Sequence, residues 1–75
     1  MESINNQAIR KYKWTNAHVE AVEKEYHKFM KLKSRNSDLI PPDDIDKYWE
    51  IHASNKSNYF NYCLVIFNNI NILNF

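Results

Sequence analysis

The sequence predicts an all-α fold, a single small domain of three main helices with a candidate short fourth helix at the N-terminus. The chain has 75 residues, which is the length of one domain. It contains no glycine and only two prolines, so little interrupts a helix. Apolar residues recur at spacings of three and four along most of it, the period of one helix face. We expect one helical domain over residues 1–75, with residues 14–70 as its main part and residues 1–13 and 71–75 as its ends.

Two helices are expected in the first half of the chain. Residues 3–12 form the candidate short helix, in which Ser3 can cap the first turn. Residues 15–34 form the strongest helix candidate, because Thr15 or Asn16 can cap it and its glutamates precede its lysines, which suits the helix dipole. Its apolar stripe falls at alternating three- and four-residue spacing over Val19, Val22, Tyr26, Phe29 and Lys33, and Ala17, Ala21 and Met30 widen it.

Two further helices are expected after a loop over residues 34–42, which carries both prolines. Pro42 suits the first turn of the next helix, where a missing N–H costs nothing. A break around residues 53–56 then precedes the last helix, whose apolar face comprises Tyr59, Tyr62, Cys63, Ile66, Phe67 and Ile70. Residues 71–75 fit either a continued helix or an extended tail. We expect the helices to pack around Val22, Phe29, Trp49, Tyr62 and Ile66.

The charge distribution is two-signed, although the net charge is only +1. Residues 1–37 carry eight basic and four acidic side chains, whereas residues 38–75 carry two basic and five acidic ones. A near-neutral total argues against bulk attraction of nucleic acid. Halves of opposite sign suit pairing with each other or with a charged protein. The lack of glycine excludes the usual phosphate-binding loops and oxyanion-hole turns.

The composition also bounds the location of the protein. The single cysteine, Cys63, excludes an internal disulfide and fits a reducing compartment. The start of the chain has no basic region followed by an apolar stretch, which is the pattern of a secretory signal. The longest apolar run, over residues 62–67, is far shorter than the roughly 20 residues of a membrane span. We therefore expect a cytoplasmic protein that does not insert into a membrane.

The favoured function is a small, non-catalytic protein–protein interaction module without a cofactor. An inhibitor or an assembly subunit, including one encoded by a phage or mobile element, fits this description. Large aromatic side chains on so small a domain, together with an acidic helix start, favour another protein as the partner, and a homo-oligomer is a further option. The partner-binding candidates are Trp14, Tyr48, Asp43, Asp44 and Glu50.

Nucleic-acid binding is the first alternative function. Basic side chains precede the long helix and follow one side of it, with Tyr12 and Trp14 interleaved, a pattern that can follow phosphates and stack bases. The same pattern also fits a solvated helix face that pairs with acidic residues of the chain. The candidates are Arg10, Lys11, Lys24, Lys28, Lys31 and Arg35.

A remnant metal site is the second alternative, with Asp46 and His52 as its candidate ligands. Asp46 and Glu50 are four residues apart and share a helix face, so they can hold a hard cation. Glu50 and His52 point about 200° apart on a regular helix and cannot chelate one ion. We favour a solvated acidic face and a core histidine with a backbone hydrogen-bond partner over a metal site.

The segment from residue 39 to residue 63 carries a Trp-x-x-His sequence followed by a tyrosine and a cysteine. In this segment the chain resembles the small helical domain of the plant glycine-rich domain-containing proteins and their bacterial relatives. The resemblance extends more loosely over residues 14–67 and implies a helical fold. The matching positions are Pro41, Ile45, Asp46, Trp49, His52, Tyr59 and Cys63.

The departures from the family pattern affect its polar positions. Glu50 stands where the family has the first histidine of Trp-His-x-His, and Asn55 and Lys56 stand where it has Asp-Thr. If the family's histidines and aspartates form a metal or catalytic site, the resemblance leaves this chain only Asp46 and His52 of it. A retained apolar framework with altered polar positions favours a fold that is used for binding.

Overall fold

The computed structural model of the protein describes residues 2–73, with side chains for residues 2–67. Four helices follow one another, namely α1 (Ile4–Tyr12), α2 (Asn16–Lys33), α3 (Asp43–Ser54) and α4 (Lys56–Leu73). No strand occurs among the described residues. The all-α prediction is confirmed, and the candidate short helix at the N-terminus is present as α1.

Hydroxyl caps begin the first two helices where the sequence predicted them. Ser3 Oγ accepts a hydrogen bond from the backbone N–H of Asn6 at 3.1 Å, and Thr15 Oγ1 accepts one from the N–H of His18 at 3.0 Å. Each bond satisfies an N–H group that has no partner within its own helix. Lys13 ends α1 in the left-handed conformation, with a φ of 61°, and so turns the chain towards α2.

The two later helix boundaries differ slightly from the prediction. Pro42 lies just before α3, as its N-cap residue, rather than inside the first turn. Only Asn55 separates α3 from α4, in place of a break over residues 53–56. The side chain of Asn55 exchanges two hydrogen bonds of 3.1 Å with the amide of Gln7 and donates another to the Ile51 carbonyl at 2.8 Å. These hydrogen bonds between Gln7 and Asn55 connect α1 to the corner between α3 and α4.

The core lies between α2 and α3, and α1 closes one side of it. Its buried residues are Ala8, Val19, Val22, Tyr26, Phe29, Met30, Ile45, Tyr48 and Ile51. Val22 and Phe29 are therefore confirmed as core residues, whereas Trp49, Tyr62 and Ile66 are half-buried against the edge of the core. An edge position lets the polar atom of a tryptophan or tyrosine keep a hydrogen-bond partner.

The last helix continues through Leu73, so residues 71–73 are helical rather than extended. Residues 74 and 75 lie outside the described part of the chain, as do the side chains from residue 68 onwards. The apolar contact expected from Ile70 lies outside it for the same reason.

Candidate functional site

His52, on α3, is 4% exposed and joins three helices. Its Nε2 lies 2.7 Å from Asn58 Oδ1 on α4, and its Nδ1 lies 2.7 Å from the hydroxyl oxygen of Tyr26 on α2. Because an amide oxygen can only accept, Nε2 carries the proton of the neutral ring and the Tyr26 hydroxyl donates to Nδ1. The prediction of a core histidine is confirmed, but its partners are two side chains rather than a backbone group.

Burial sets the protonation of this network. It lowers the pKa of His52 below the usual 6.5, opposed by the hydrogen bond to Asn58 and assisted by the nearby His27. Burial also raises the pKa of Tyr26, and it raises the pKa of Tyr62 to about 12. At neutral pH the two tyrosines are therefore protonated hydrogen-bond donors, and His52 is uncharged.

A cleft of about 340 Å³ opens beside this network, where all four helices contribute residues. Its lining residues are Ser3, Ile4, Asn5, Glu23, His27, Tyr48, His52, Asn58 and Tyr62. The volume lies at the lower end of the range for small-molecule sites. This cleft was not predicted from the sequence, because its polar members come from separate segments of the chain. The one local signal was the pair of Glu23 and His27, which are four residues apart on one side of α2.

Hydrogen bonds hold the polar groups of the cleft in place. The Tyr48 hydroxyl donates to Asn5 Oδ1 at 2.7 Å, and Asn5 Nδ2 donates to Glu23 Oε1 at 3.0 Å. His27 Nδ1 lies 2.9 Å from the Tyr62 hydroxyl oxygen. Burial, followed by the charge of the Glu23 carboxylate, raises the pKa of Tyr48, so its hydroxyl remains a donor. The cleft is therefore preformed, with its side chains already oriented by one another.

The two aromatic partner-binding candidates have different surroundings. Tyr48 is only 3% exposed and belongs to the core, so its assignment to a partner surface is wrong. Its hydroxyl reaches Asn5 while its ring packs against Tyr26 at a centroid distance of 4.9 Å, which is why it is buried. Trp14 is half-buried, with its ring 5.1 Å from that of Tyr12.

The three acidic partner-binding candidates each lie near a basic side chain of the same chain. The pairs are Asp44 with His18 at 3.0 Å, Asp43 with Lys47 at 3.6 Å and Glu50 with Lys11 at 4.0 Å. Two of these contacts join α3 to α2 and to α1, and the one between Glu50 and Lys11 joins charges of opposite sign from the two halves of the chain. Exposed pairs of this kind contribute about 0–1 kcal/mol each. Binding of a partner by these three residues stays a prediction.

The six nucleic-acid-binding candidates are divided between α1, α2 and the turn after α2. Three have an acidic neighbour within ion-pair distance, Arg10 with Glu2, Lys11 with Glu50 and Lys28 with Glu25. Lys24, Lys31 and Arg35 are exposed and have no ion pair among the described residues. Acidic neighbours weaken the basic patch, and nucleic-acid binding stays a prediction.

The two candidate metal ligands do not converge. Asp46 is exposed on α3, whereas His52 is buried with both ring nitrogens hydrogen-bonded. Six positions apart on a helix, they point about 120° away from each other. In the part of the chain that the structure describes, no group of three His, Cys, Asp or Glu side chains is arranged to hold a metal ion. A shared metal site of Asp46 and His52 does not fit this geometry.

One side of α4 exposes apolar side chains. Phe60, Leu64 and Phe67 are 62%, 41% and 37% exposed, and we name this set the outer stripe of α4. Phe67 belongs to the wide apolar face predicted for the last helix, but its side chain is exposed, whereas Tyr62 and Ile66 of the same face pack against the core. The signal available in the sequence was the complete absence of acidic and basic residues from position 57 to position 75.

Comparison with known proteins identified no matching family model, no curated relative and no similar solved structure. The resemblance to the glycine-rich domain-containing proteins therefore stays a prediction. Among the described residues, no helix combines the length and apolarity that crossing a bilayer requires. The chain is thus classified by its architecture, as a small all-α domain of four helices.

Proposed function

We propose that this chain is a small, non-catalytic protein–protein interaction module that assembles with a second copy of itself through the outer stripe of α4. The supporting observation is the exposure of Phe60, Leu64 and Phe67 on a helix that also packs Tyr62 and Ile66 against the domain. Exposed aromatic rings are enriched where proteins bind one another.

The outer stripe is continuous along the helix. Positions 60, 64 and 67 are separated by four and three residues, so their side chains follow one another along a single side. Rows of this spacing form the ridges that two helices interdigitate when they pack along each other. The stripe therefore has the pattern of a helix–helix contact.

Charge favours a second copy as the occupant of this surface. Residues 57–75 contain no acidic or basic side chain, so the stripe offers a charged partner nothing to pair with. The net charge of +1 leaves little repulsion between two copies. A two-fold axis would bring the same stripe of both copies together, as in an isologous dimer. These features favour an assembly subunit over an inhibitor.

We expect the association to be weak. Residues 60–67 span about 10 Å along the helix axis. A contact of that length is smaller than a standard interface, which buries about 800 Å² on each partner. The dissociation constant should therefore be micromolar or weaker rather than nanomolar.

Sedimentation velocity over a hundredfold range of protein concentration tests the proposal. The wild-type chain should change from monomer to dimer, and Phe60→Lys should move this transition to concentrations about tenfold higher or more. Leu32→Lys is the matched control, because Leu32 is 57% exposed on α2 and receives the same charge. It should leave the transition in place.

Two results would contradict the proposal. A wild-type chain that is monomeric throughout excludes self-assembly, and equal effects of Phe60→Lys and Leu32→Lys exclude the outer stripe as the contact. Circular dichroism of both variants checks that their helices are retained. A monomer that binds DNA with a steep salt dependence would favour the nucleic-acid alternative instead.

We also propose that the resemblance to the glycine-rich domain-containing proteins reflects a shared packing framework. At the corner between α3 and α4, Tyr59 contacts two of the other matching positions, Trp49 and His52. The Trp49 indole N–H donates to the Tyr59 hydroxyl at 2.9 Å, and the His52 ring lies 5.2 Å from that of Tyr59. A structure of a family member in which these three side chains are apart would contradict the proposal.

A further inference from the structure

We infer that the cleft beside Glu23 is a binding site for a small organic cation that carries a primary ammonium group. The site lies apart from the outer stripe of α4 and is independent of the self-assembly proposed above. Three of its features point to this ligand: a carboxylate without an ion pair, oxygen acceptors with free lone pairs, and aromatic walls.

Glu23 is a half-buried carboxylate, and no cationic side chain among residues 2–67 lies within ion-pair distance of it. Its Oε1 accepts a hydrogen bond from Asn5. His27 lies one turn further along α2, and its Nδ1 is hydrogen-bonded to Tyr62. A charge in a partly desolvated cleft interacts with an opposite charge more strongly than it would in bulk water. The electrostatics of the cleft therefore favour a cationic ligand.

Two oxygen-bearing groups of the cleft can accept hydrogen bonds from a ligand that donates. Tyr48 uses its hydroxyl proton on Asn5, and His52 uses its Nε2 proton on Asn58. The carboxylate of Glu23 and the amide oxygen of Asn58 each accept one internal hydrogen bond and keep further lone pairs. A primary ammonium group carries three donors and no acceptor, which matches these two acceptors.

Aromatic rings supply the remaining walls. Tyr48 and Tyr62 line the cleft together with the imidazole of His27. The negative face of an aromatic ring attracts a nearby cation. The volume of about 340 Å³ corresponds to roughly ten water molecules. It therefore admits an ammonium group with a short alkyl chain, whose carbons can contact the rings.

A metal ion fits the same cleft less well. Glu23 and His27 are the two side chains best able to ligate it, because both ring nitrogens of His52 are already hydrogen-bonded. No group of three His, Cys, Asp or Glu side chains among the described residues is arranged to hold a metal ion. Protein sites for zinc usually supply three or four such ligands. The aromatic walls would also have no role in holding a hydrated ion.

A titration of the full chain with n-butylammonium chloride, followed by ¹H–¹⁵N NMR, tests the site. We expect saturable shifts of the side-chain amide signals of Asn5 and Asn58. The dissociation constant should be in the millimolar range, as expected for a ligand of so few atoms. n-Butanol has the same alkyl chain without the charge and should produce no comparable shifts.

Glu23→Gln separates the charge of the site from its shape. Glutamine keeps an oxygen acceptor for Asn5 but removes the negative charge, so the affinity for n-butylammonium should fall about fivefold or more. Glu20→Gln makes the same change at an exposed position of α2 and should leave the affinity unchanged.

Several results would overturn the assignment. They are the absence of saturable shifts with n-butylammonium, equal shifts with n-butanol, or equal affinity in wild type and a folded Glu23→Gln variant. Zinc chloride gives the last comparison, because shifts near Glu23 and His27 with zinc alone would identify a metal site instead. If Glu23→Gln loses its dispersed spectrum, the wild-type comparison between n-butylammonium and n-butanol decides.

Discussion

The two longest helices, α2 and α4, have 18 residues each but present different chemistry to their surroundings. α2 buries five apolar side chains and carries seven charged ones. α4 begins with Lys56 and carries no other charged residue. Its described outer side exposes the stripe of Phe60, Leu64 and Phe67.

This contrast indicates that α2 mainly stabilises the fold, whereas the outer stripe of α4 serves the proposed self-association. The inner side of α2 supplies much of the core, and the charged side chains on its outer side are hydrated. The inner side of α4 is held by polar aromatic contacts such as the 2.9 Å hydrogen bond between Tyr62 and His27. We therefore expect changes inside α2 to reduce the free energy of unfolding, and changes on the outer stripe of α4 to affect association instead.

Tyr26→Ala should have the largest effect on stability. Tyr26 is 0% exposed and packs against Tyr48. Removing a buried aromatic side chain costs about 3–5 kcal/mol, a large part of the roughly 4–11 kcal/mol expected for a domain of 75 residues. Urea denaturation followed by circular dichroism measures the loss.

Phe60→Ala is the control, because it removes a ring from the outer stripe, and it should cost less than about 0.5 kcal/mol in dilute monomer. Equal losses of stability in the two variants would contradict the proposed difference between α2 and α4.

Tyr26→Phe should cost about 1–3 kcal/mol, because it leaves Nδ1 of the buried His52 without its donor. The same denaturation experiment measures this change. Tyr12→Phe is the matched control, since the Tyr12 hydroxyl makes only a long, partly buried hydrogen bond of 3.4 Å to the Lys47 carbonyl. If both variants lose the same free energy of unfolding, the hydrogen bond between Tyr26 and His52 stabilises the fold no more than the one between Tyr12 and Lys47 does.

Acid should lower the free energy of unfolding of the unmodified chain. We expect this decrease to be smaller than the one caused by Tyr26→Phe. Burial lowers the pKa of His52 in the folded chain, whereas in the unfolded chain it stays near 6.5. As the pH falls below 6.5, the unfolded chain takes up this proton first, so the free energy of unfolding decreases until the folded His52 is also protonated. NMR titration of the His52 ring, together with denaturation at each pH, measures both quantities. A His52 ring that titrates at or above 6.5 would contradict the prediction.

Lys28→Ala should have the smallest effect, within about 0.5 kcal/mol. Lys28 is 62% exposed, and its Nζ lies 3.7 Å from Glu25 Oε1 in a solvated pair one turn apart. Urea denaturation at low and high salt measures the change. A loss above about 1 kcal/mol would mean that the charged side of α2 contributes to the fold as well as its buried side.

Sequence reasoning predicted the helices better than the sides that they bury. Most of the α2 stripe was predicted correctly, because charged residues on the other side leave one orientation for Val22 and Phe29, although Ala17 and Ala21 at its margin are exposed. α4 has apolar residues on two sides, so spacing alone could not tell that Phe67 is exposed while Ile66 packs on the core. The cleft was missed altogether, since its residues are brought together only by helix packing.

The sequence by itself determined the all-α fold, the hydroxyl caps at Ser3 and Thr15 and the uncharged end over residues 57–75. Each of these depends on neighbouring residues or on the spacing of one helical turn. Only the tertiary structure decided that Tyr48 is buried and that Asn5 and Glu23 share one cleft. These contacts join distant segments, and they depend on the angles and offsets at which helices pack, which no local pattern specifies.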